Sequence, residues 1–130
     1  MKVFHFDGET ECKSLGELND VLNSKHNNCN EFELRVDDEY PYMTILVNDK
    51  WACVHFFQDE EDCGHYASYI FTNENILNED DYTTFYMGSS LTSETEISNK
   101  LVIPFRLALI AAQDFFLNEK MSEKLEWFEL

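Results

Sequence analysis

The sequence predicts an α+β fold, in which a mostly antiparallel sheet of six to eight strands packs with two helices. Most of the chain consists of short segments of alternating apolar and polar residues between turn signals, which favours antiparallel pairing of neighbours. Only two segments place apolar residues at helical spacing, and the second ends the chain as a C-terminal helix followed by a closing strand. A length of 130 residues fits one domain, 1–130, with a sizeable core.

Both predicted helices carry start signals. Ser14 with Glu17 three residues later forms a capping box, and apolar residues at helical spacing follow as far as Leu22. Pro104 suits the first position of the second helix, because its missing N–H would have no helical partner there. That helix has phenylalanines and alanines at helical spacing and a stop signal at Asn118. We expect it to be the element against which the sheet packs.

The strands are predicted from period-two alternation between turn signals. They cover residues 2–6, 32–36, 42–47, 51–57, 65–71 and 82–87, with 99–103 as a further candidate and 125–130 as the closing strand. Residues 25–30, 58–64, 72–81 and 88–96 are predicted to be loops. Asn48-Asp49-Lys50 is short enough to be a hairpin loop between the strands on either side.

The charge of the chain is its most unusual property, since 26 acidic residues stand against 9 basic ones and give a formal net charge of −17. Such a field repels nucleic acid and anionic membranes and speeds the capture of cationic partners. We therefore expect neither nucleic acid nor a membrane as a partner. No apolar run is long enough for a signal peptide or a membrane span, so we expect a cytoplasmic protein with four reduced cysteines.

The segment from Trp51 to Asn99 contains ten acidic residues, nine aromatic residues and no lysine or arginine. Strands with two faces cannot bury all of these rings, so we expect some of them to surface among the carboxylates. Aromatic anchors inside a charged rim are typical of protein–protein interfaces, whereas the alternative is a solvated acidic face over an ordinary aromatic core. The acidic residues group at 59–62, at 79–81 and at 74, 94 and 96, and the predicted partner-binding residues are Asp59, Glu60, Glu61, Asp62, Tyr66, Glu79, Asp80, Asp81 and Tyr82.

Catalytic and metal-binding patterns are scarce in the sequence. Cys53-Val54-His55 and Cys63-Gly64-His65 are two Cys-x-His pairs, and residues two apart share one face of a strand. If their strands pair, four soft ligands could approach a zinc ion, while buried cysteines in aromatic strands are the ordinary alternative. The chain has no Gly-rich phosphate loop, His-Glu-x-x-His motif or calcium loop, and no oxyanion loop for a Cys/His nucleophile. We expect no enzyme activity, no cofactor and no bound metal.

The end of the chain carries an Ile-Pro entry, an Ala-rich helix that ends in aromatics, and an apolar-x-Trp pair. The residues concerned are Ile103-Pro104, Ala108, Ala111-Ala112, Phe115-Phe116 and Leu125-Glu126-Trp127. This pattern resembles the C-terminal signature of the immunity proteins encoded beside bacterial polymorphic and contact-dependent toxins, in particular the family known as immunity protein one. That family's linker usually has a Gly and a Pro, and residues 118–124 have neither. The resemblance assigns Pro104, Ala108, Ala112, Phe115 and Trp127 to a structural motif.

The resemblance implies that the protein is an antidote without turnover. It would bind the C-terminal domain of a cognate toxin, a nuclease or deaminase acting on nucleic acid, and cover its active site. Proteins that act on nucleic acid are basic around the site that holds the phosphates, so an acidic inhibitor with exposed aromatic rings would match them in charge. The alternative is an acidic adaptor or DNA-mimic regulatory protein that binds another basic partner.

Overall fold

The fold is built on one large antiparallel sheet with both helices on one of its faces. The computed structural model describes residues 1–25, 27–37, 39–58, 65–69, 78, 80–87 and 93–130. In chain order the elements are β1 (Lys2–His5), β2 (Gly8–Glu11), α1 (Leu15–Leu22), β3 (Cys29–Arg35), β4 (Tyr42–Asn48), β5 (Trp51–Phe57), β6 (His65–Tyr69), β7 (Tyr82–Tyr86), β8 (Glu94–Ser98), β9 (Ile103–Pro104), α2 (Phe105–Asn118) and β10 (Glu126–Glu129).

The main sheet has eight strands, in the order β10-β6-β5-β4-β3-β1-β2, with the short strand β9 paired to β5. Strands β7 and β8 form a separate two-stranded sheet. All the pairings within the described residues are antiparallel. The predicted α+β class, with two helices and a mostly antiparallel sheet, is therefore confirmed.

The hairpin between β4 and β5 sets the register at the centre of the sheet. The predicted short hairpin loop is confirmed, but Asn48 lies opposite Trp51 within the ladder, so the loop consists of Asp49 and Lys50 alone rather than residues 48–50. Asp49 has a φ of 56°, in the left-handed region that aspartate tolerates better than most residues. From this turn the ladder runs without a bulge to the pair Tyr42 and Phe57.

The two helices begin and end close to the predicted residues. Ser14 caps α1 by accepting a hydrogen bond from the backbone N–H of Glu17 at 3.2 Å. Helix α2 ends at Asn118, and the next residue, Glu119, has a φ of 56° and donates its backbone N–H to the carbonyl of Phe115. This left-handed residue provides a carbonyl of the last turn with a partner, which a helix end requires.

Helix α2 packs directly on the sheet, as the sequence predicted. Ala108, Ala112 and Phe115 are all 0% exposed, and the small alanines let the helix backbone approach the strands. The Phe115 ring meets the ring of Phe56 edge to face, with 5.6 Å between their centroids. Burying one such phenylalanine contributes about 1.5–3 kcal/mol, so this face supplies much of the stability of the fold. The motif residues of α2 therefore pack in the core.

A second apolar cluster lies on the opposite face of the sheet, beneath the β7–β8 hairpin. It contains the buried side chains of Leu46, Cys53, Phe85 and Val102, with Trp51 and Ile97 packed against it. Because Leu46 and Cys53 face away from the helices, the main sheet is covered on both sides over this part of its area. The hairpin is thus attached through its inner face.

Several element predictions need correction. Strand β2 was not predicted, because its sequence Gly-Glu-Thr-Glu lacks apolar residues, yet backbone pairing with β1 holds it at the sheet edge. Strand β8 occupies part of the predicted loop 88–96, and the candidate strand 99–103 is a 3-10 turn, Asn99–Leu101, followed by β9. Pro104 is the residue before α2 rather than its first. Residues 70 and 71, predicted as strand, lie outside the described residues.

Neither of the helices in the described part of the chain combines the length and the apolar character that crossing a membrane would require.

Candidate functional site

The outward side of the β7–β8 hairpin combines tyrosines with carboxylates. Tyr82 pairs with Ser98, Thr84 with Glu96 and Tyr86 with Glu94, and residues paired across an antiparallel ladder lie on the same side of it. We call the surface formed by these six residues the hairpin face. Tyr82 is 61% exposed, and both glutamates are also exposed. The intervening residue Phe85 is buried, so the alternation of the strand separates an inner apolar side from an outer polar one.

The hairpin is fixed to the main sheet by packing and by a hydrogen bond. Phe85 is 0% exposed within the cluster that contains Leu46 and Cys53. Asn48, at the end of β4, donates its Nδ2 hydrogen to the carbonyl oxygen of Thr84 at 2.8 Å. These contacts restrict the hairpin, so a partner that binds the hairpin face meets a surface that is already ordered. Such preorganisation lowers the entropy that binding costs.

The turn before β7 carries two more carboxylates, Asp80 and Asp81, both exposed. The Oδ1 of Asn78 accepts a hydrogen bond from the N–H of Asp80 at 3.0 Å. The buried Asn99 then donates its own side-chain amide to the carbonyl of Asn78 at 2.7 Å. The Oδ1 of Asp81 accepts the backbone N–H of Tyr82 at 2.9 Å. The turn is therefore held by hydrogen bonds, and it places two carboxylates directly before the exposed Tyr82 in the chain.

The four carboxylates of the hairpin face and the acidic turn form no ion pair with any residue that the structure describes; they belong to Asp80, Asp81, Glu94 and Glu96. Residues two apart on a strand are about 7 Å apart, and two unit charges at that distance in water repel by roughly 0.6 kcal/mol. The fold tolerates a cost of this size, and salt reduces it further. The main consequence of the carboxylates is therefore an attractive field for a cationic partner rather than a large loss of stability.

The predicted partner-binding residues are only partly brought together. Asp80, Asp81 and Tyr82 adjoin one another at the base of the hairpin face. Tyr66 does not join them, because it lies opposite Phe56 on the helix side of the sheet and packs against the main core. The other five, Asp59, Glu60, Glu61, Asp62 and Glu79, lie outside the described residues.

The sequence analysis did not predict a row of stacked side chains on the sheet face that carries Leu46 and Cys53, the face opposite the helices. The Arg35 guanidinium lies 4.0 Å from the ring centroid of Tyr42, and the Tyr42 and Phe57 rings stack with 4.5 Å between centroids. Glu33 accepts a hydrogen bond from Nε of Arg35 at 2.8 Å, which raises the pKa of the guanidinium above its ordinary value. Arginine and tyrosine are frequent among the hot-spot residues that contribute most of the binding energy of protein–protein interfaces. This row is therefore a second surface suited to a protein partner.

The first Cys-x-His pair is a direct contact. Cys53 Sγ lies 3.6 Å from Nε2 of His55, and burial raises the pKa of the thiol to about 12. The thiol therefore stays protonated at neutral pH, unlike an activated nucleophile. Cys63 and the side chain of His65 lie outside the described residues, so the four-ligand arrangement stays a hypothesis. Within the described part of the chain, no three His, Cys, Asp or Glu side chains gather as metal ligands do.

No protein-family model matches the chain, and no curated protein matches it significantly.

Proposed function

We propose that this protein is an inhibitor that binds a basic protein domain, and specifically an immunity protein that neutralises a cognate bacterial toxin. The observation that carries the proposal is the hairpin face together with the acidic turn. There, the exposed Tyr82 and the half-buried Tyr86 share a surface with four carboxylates that have no ion-pair partner in the described structure. The resemblance of residues 101–130 to immunity protein one supports the toxin as the partner. A cytoplasmic location and the absence of turnover belong to the same proposal.

The proposed mechanism is charge mimicry combined with aromatic anchoring. A nuclease or deaminase acting on nucleic acid holds the phosphates with lysines and arginines, so its active-site cleft attracts an acidic surface. The long-range field of a chain with a net charge of −17 accelerates the encounter. Tyr82, with more than half of its surface exposed, then contributes contact area at a small cost in side-chain entropy. The bound inhibitor blocks the cleft without chemical change.

The test is co-expression of this chain with the toxin domain encoded immediately upstream, followed by co-purification and measurement of the association rate. Glu94→Lys with Glu96→Lys should weaken capture at least tenfold, mainly through the association rate, and the salt dependence of that rate should become shallower.

The matched control is Glu9→Lys with Asp20→Lys, on β2 and α1. Both residues are also exposed and form no ion pair with any described residue, and the net charge changes equally. If both double variants lose affinity to the same extent, total charge alone governs binding and the hairpin face is not the site. Capture of a different basic protein, with no toxin encoded upstream, would favour an acidic adaptor or DNA-mimic.

Reversal of the acidic residues 59–62 to lysines tests the remaining part of the predicted interface. We expect weaker capture by a chain that still folds. Unchanged affinity would remove these residues from the proposed interface and leave the hairpin face.

A further inference from the structure

A cavity of about 610 Å³ lies beside the connection between α2 and β10. Its walls include the apolar side chains of Phe56, Met121, Leu125 and Trp127. Pockets that bind ligands span about 300–1,000 Å³ and are lined mainly by apolar and aromatic groups, so the cavity has the size and chemistry of a binding pocket. It lies on the helix side of the sheet, whereas the hairpin face lies on the other side. The two surfaces are therefore separate.

The walls of the cavity are held in place by hydrogen bonds. Trp127 donates its indole N–H to the carbonyl oxygen of Ser122 at 2.9 Å. Ser122, which is 2% exposed, donates its hydroxyl hydrogen to Asp114 at 2.6 Å. The Trp127 ring also meets the Phe56 ring at 6.3 Å between centroids. The pocket is thus formed before any ligand arrives, which reduces the cost of binding.

The rim of the cavity favours a cationic ligand. Glu119, Lys120 and Glu123 line it and are exposed, which gives the rim a net negative charge. Nearby Lys124 lies 3.4 Å from a carboxylate oxygen of Asp114, so its charge is already balanced. A second copy of this chain is a poor occupant because two molecules of net charge −17 repel each other.

We propose that this cavity takes a bulky apolar side chain presented between lysines or arginines on a segment of the partner protein. The inference rests on the proposed function for the basic character of the partner. Because the cavity and the hairpin face lie on opposite sides of the sheet, the ligand is an extended segment of the partner rather than the surface that meets the hairpin.

Short peptides test the inference on the full chain. The probes are Gly-Lys-Lys-Phe-Lys-Lys-Gly, a matched peptide with glycine in place of phenylalanine, and a peptide with glutamates in place of all the lysines. Binding is followed by tryptophan fluorescence, whose change should persist in Trp51→Phe and vanish in Trp127→Phe. We expect the phenylalanine peptide to bind at least about tenfold more tightly than the glycine peptide, since burial of a phenylalanine is worth more than one tenfold step. The glutamate peptide should bind at least fivefold more weakly than the lysine peptide.

Substitutions locate the site. Met121→Arg, which places a long charged side chain in the cavity, should weaken binding of the phenylalanine peptide at least tenfold. Leu117→Arg makes a similar change at an exposed position of α2 outside the cavity and should leave binding within twofold. Glu123→Lys changes only the exposed rim, so it tests the charge requirement even if Met121→Arg does not fold; we expect a threefold to tenfold loss.

Equal binding of the phenylalanine and glycine peptides would contradict the proposal that the cavity takes an apolar side chain. Equal binding of the lysine and glutamate peptides would contradict the proposal that basic residues flank it. The double variant Glu94→Lys with Glu96→Lys should weaken peptide binding no more than the matched control double variant does, since the two change the net charge equally. If the wild-type chain captures no upstream toxin but discriminates among the peptides as expected, the proposed function fails and the assignment of the pocket stands.

Discussion

The side-chain amide of Asn99 donates a hydrogen bond to the carbonyl oxygen of Asn78 at 2.7 Å and so ties the end of β8 to the acidic turn that precedes β7. Asn99 is 4% exposed, and its Oδ1 accepts the hydroxyl hydrogen of Thr83. Its backbone N–H donates to the carbonyl oxygen of Asp81 at 3.0 Å. One buried amide therefore positions the carboxylates at the base of the hairpin face.

Asn99→Ala should loosen this turn, because the carbonyl of Asn78 and the hydroxyl of Thr83 lose their partner. Loss of a buried hydrogen-bonding group costs about 1–3 kcal/mol, which a urea denaturation curve resolves. The amide of Asp81, bonded to the carbonyl of Asn78 at 3.1 Å, should also exchange its hydrogen faster. Asn118→Ala, at the exposed end of α2, is the control and should change stability by less than about 0.5 kcal/mol. If both variants lost the same free energy of unfolding, the hydrogen bonds of the Asn99 side chain would not stabilise the fold.

The carboxylate of Asp114 should make stability depend on pH in acid. A hydrogen bond from Ser122 lowers its pKa, as does the nearby Lys124, while partial burial acts in the opposite direction. A carboxylate whose pKa is lower in the folded than in the unfolded chain stabilises the fold above the unfolded pKa, about 3.9 for aspartate. That contribution is lost as the pH falls through the folded pKa.

Asp114→Asn should therefore be less stable than the wild type at pH 7, and the difference should shrink when both are unfolded in urea at pH 3. Asp20→Asn, at an exposed position on α1, is the matched control and should show a smaller change between the two pH values. A deficit of Asp114→Asn that is the same at both pH values would mean that its charge does not contribute, and that only the hydrogen-bond geometry matters.

How much of the fold could be predicted depended on whether the decisive contact was local. The helix cap at Ser14 and the short hairpin loop near Asp49 involve neighbours in sequence, and both were predicted, although Asn48 belongs to β4 and not to the loop. Strand β2 has no apolar residue and is a strand only because β1 supplies its hydrogen bonds. The turn before β7 is held by the hydrogen bond from Asn99 to Asn78, 21 residues away, and local sequence preferences do not predict a bond between residues so far apart.

Prediction of the hairpin face was limited in the same way, because part of it depends on contacts between residues far apart in sequence. The exposure of Tyr82 among carboxylates followed from composition, since no strand could bury every ring. The partnership of Tyr86 with Glu94 required the register of β7 and β8, and the predicted loop 88–96 covers the first three residues of β8. The Tyr42–Phe57 stack also required the observed register. The predicted loop 48–50 would place Tyr42 opposite Phe56, whereas the two-residue turn at 49–50 places it opposite Phe57.

The described cysteines should be unreactive while the chain is folded. Cys12, Cys29 and Cys53 are at most 3% exposed, and burial raises the pKa of each thiol, that of Cys53 to about 12. Both effects suppress the thiolate that reacts with disulfide reagents. In a Cys63→Ser chain, labelling by such a reagent at pH 8 should therefore proceed no faster than unfolding and should reach three thiols in urea. A thiol that reacts within seconds under native conditions would contradict this burial.

Two aromatic residues of β7 should separate folding from binding. Phe85 is 0% exposed and packs beneath the hairpin, so Phe85→Ala should cost about 3–5 kcal/mol through lost burial and the cavity that remains. Tyr82, three residues earlier, is 61% exposed, and Tyr82→Ala should change the free energy of unfolding by less than about 0.5 kcal/mol. Urea denaturation measures both values, and capture of the toxin domain by Tyr82→Ala measures binding. If the proposed function is right, Tyr82→Ala keeps its fold and binds the toxin domain at least about tenfold more weakly. The loss should arise mainly from faster dissociation, because the substitution removes an aromatic contact and leaves the charge unchanged. A Tyr82→Ala chain that captures the toxin as tightly as the wild type would leave the carboxylates without an aromatic anchor at this position and would move the interface away from β7.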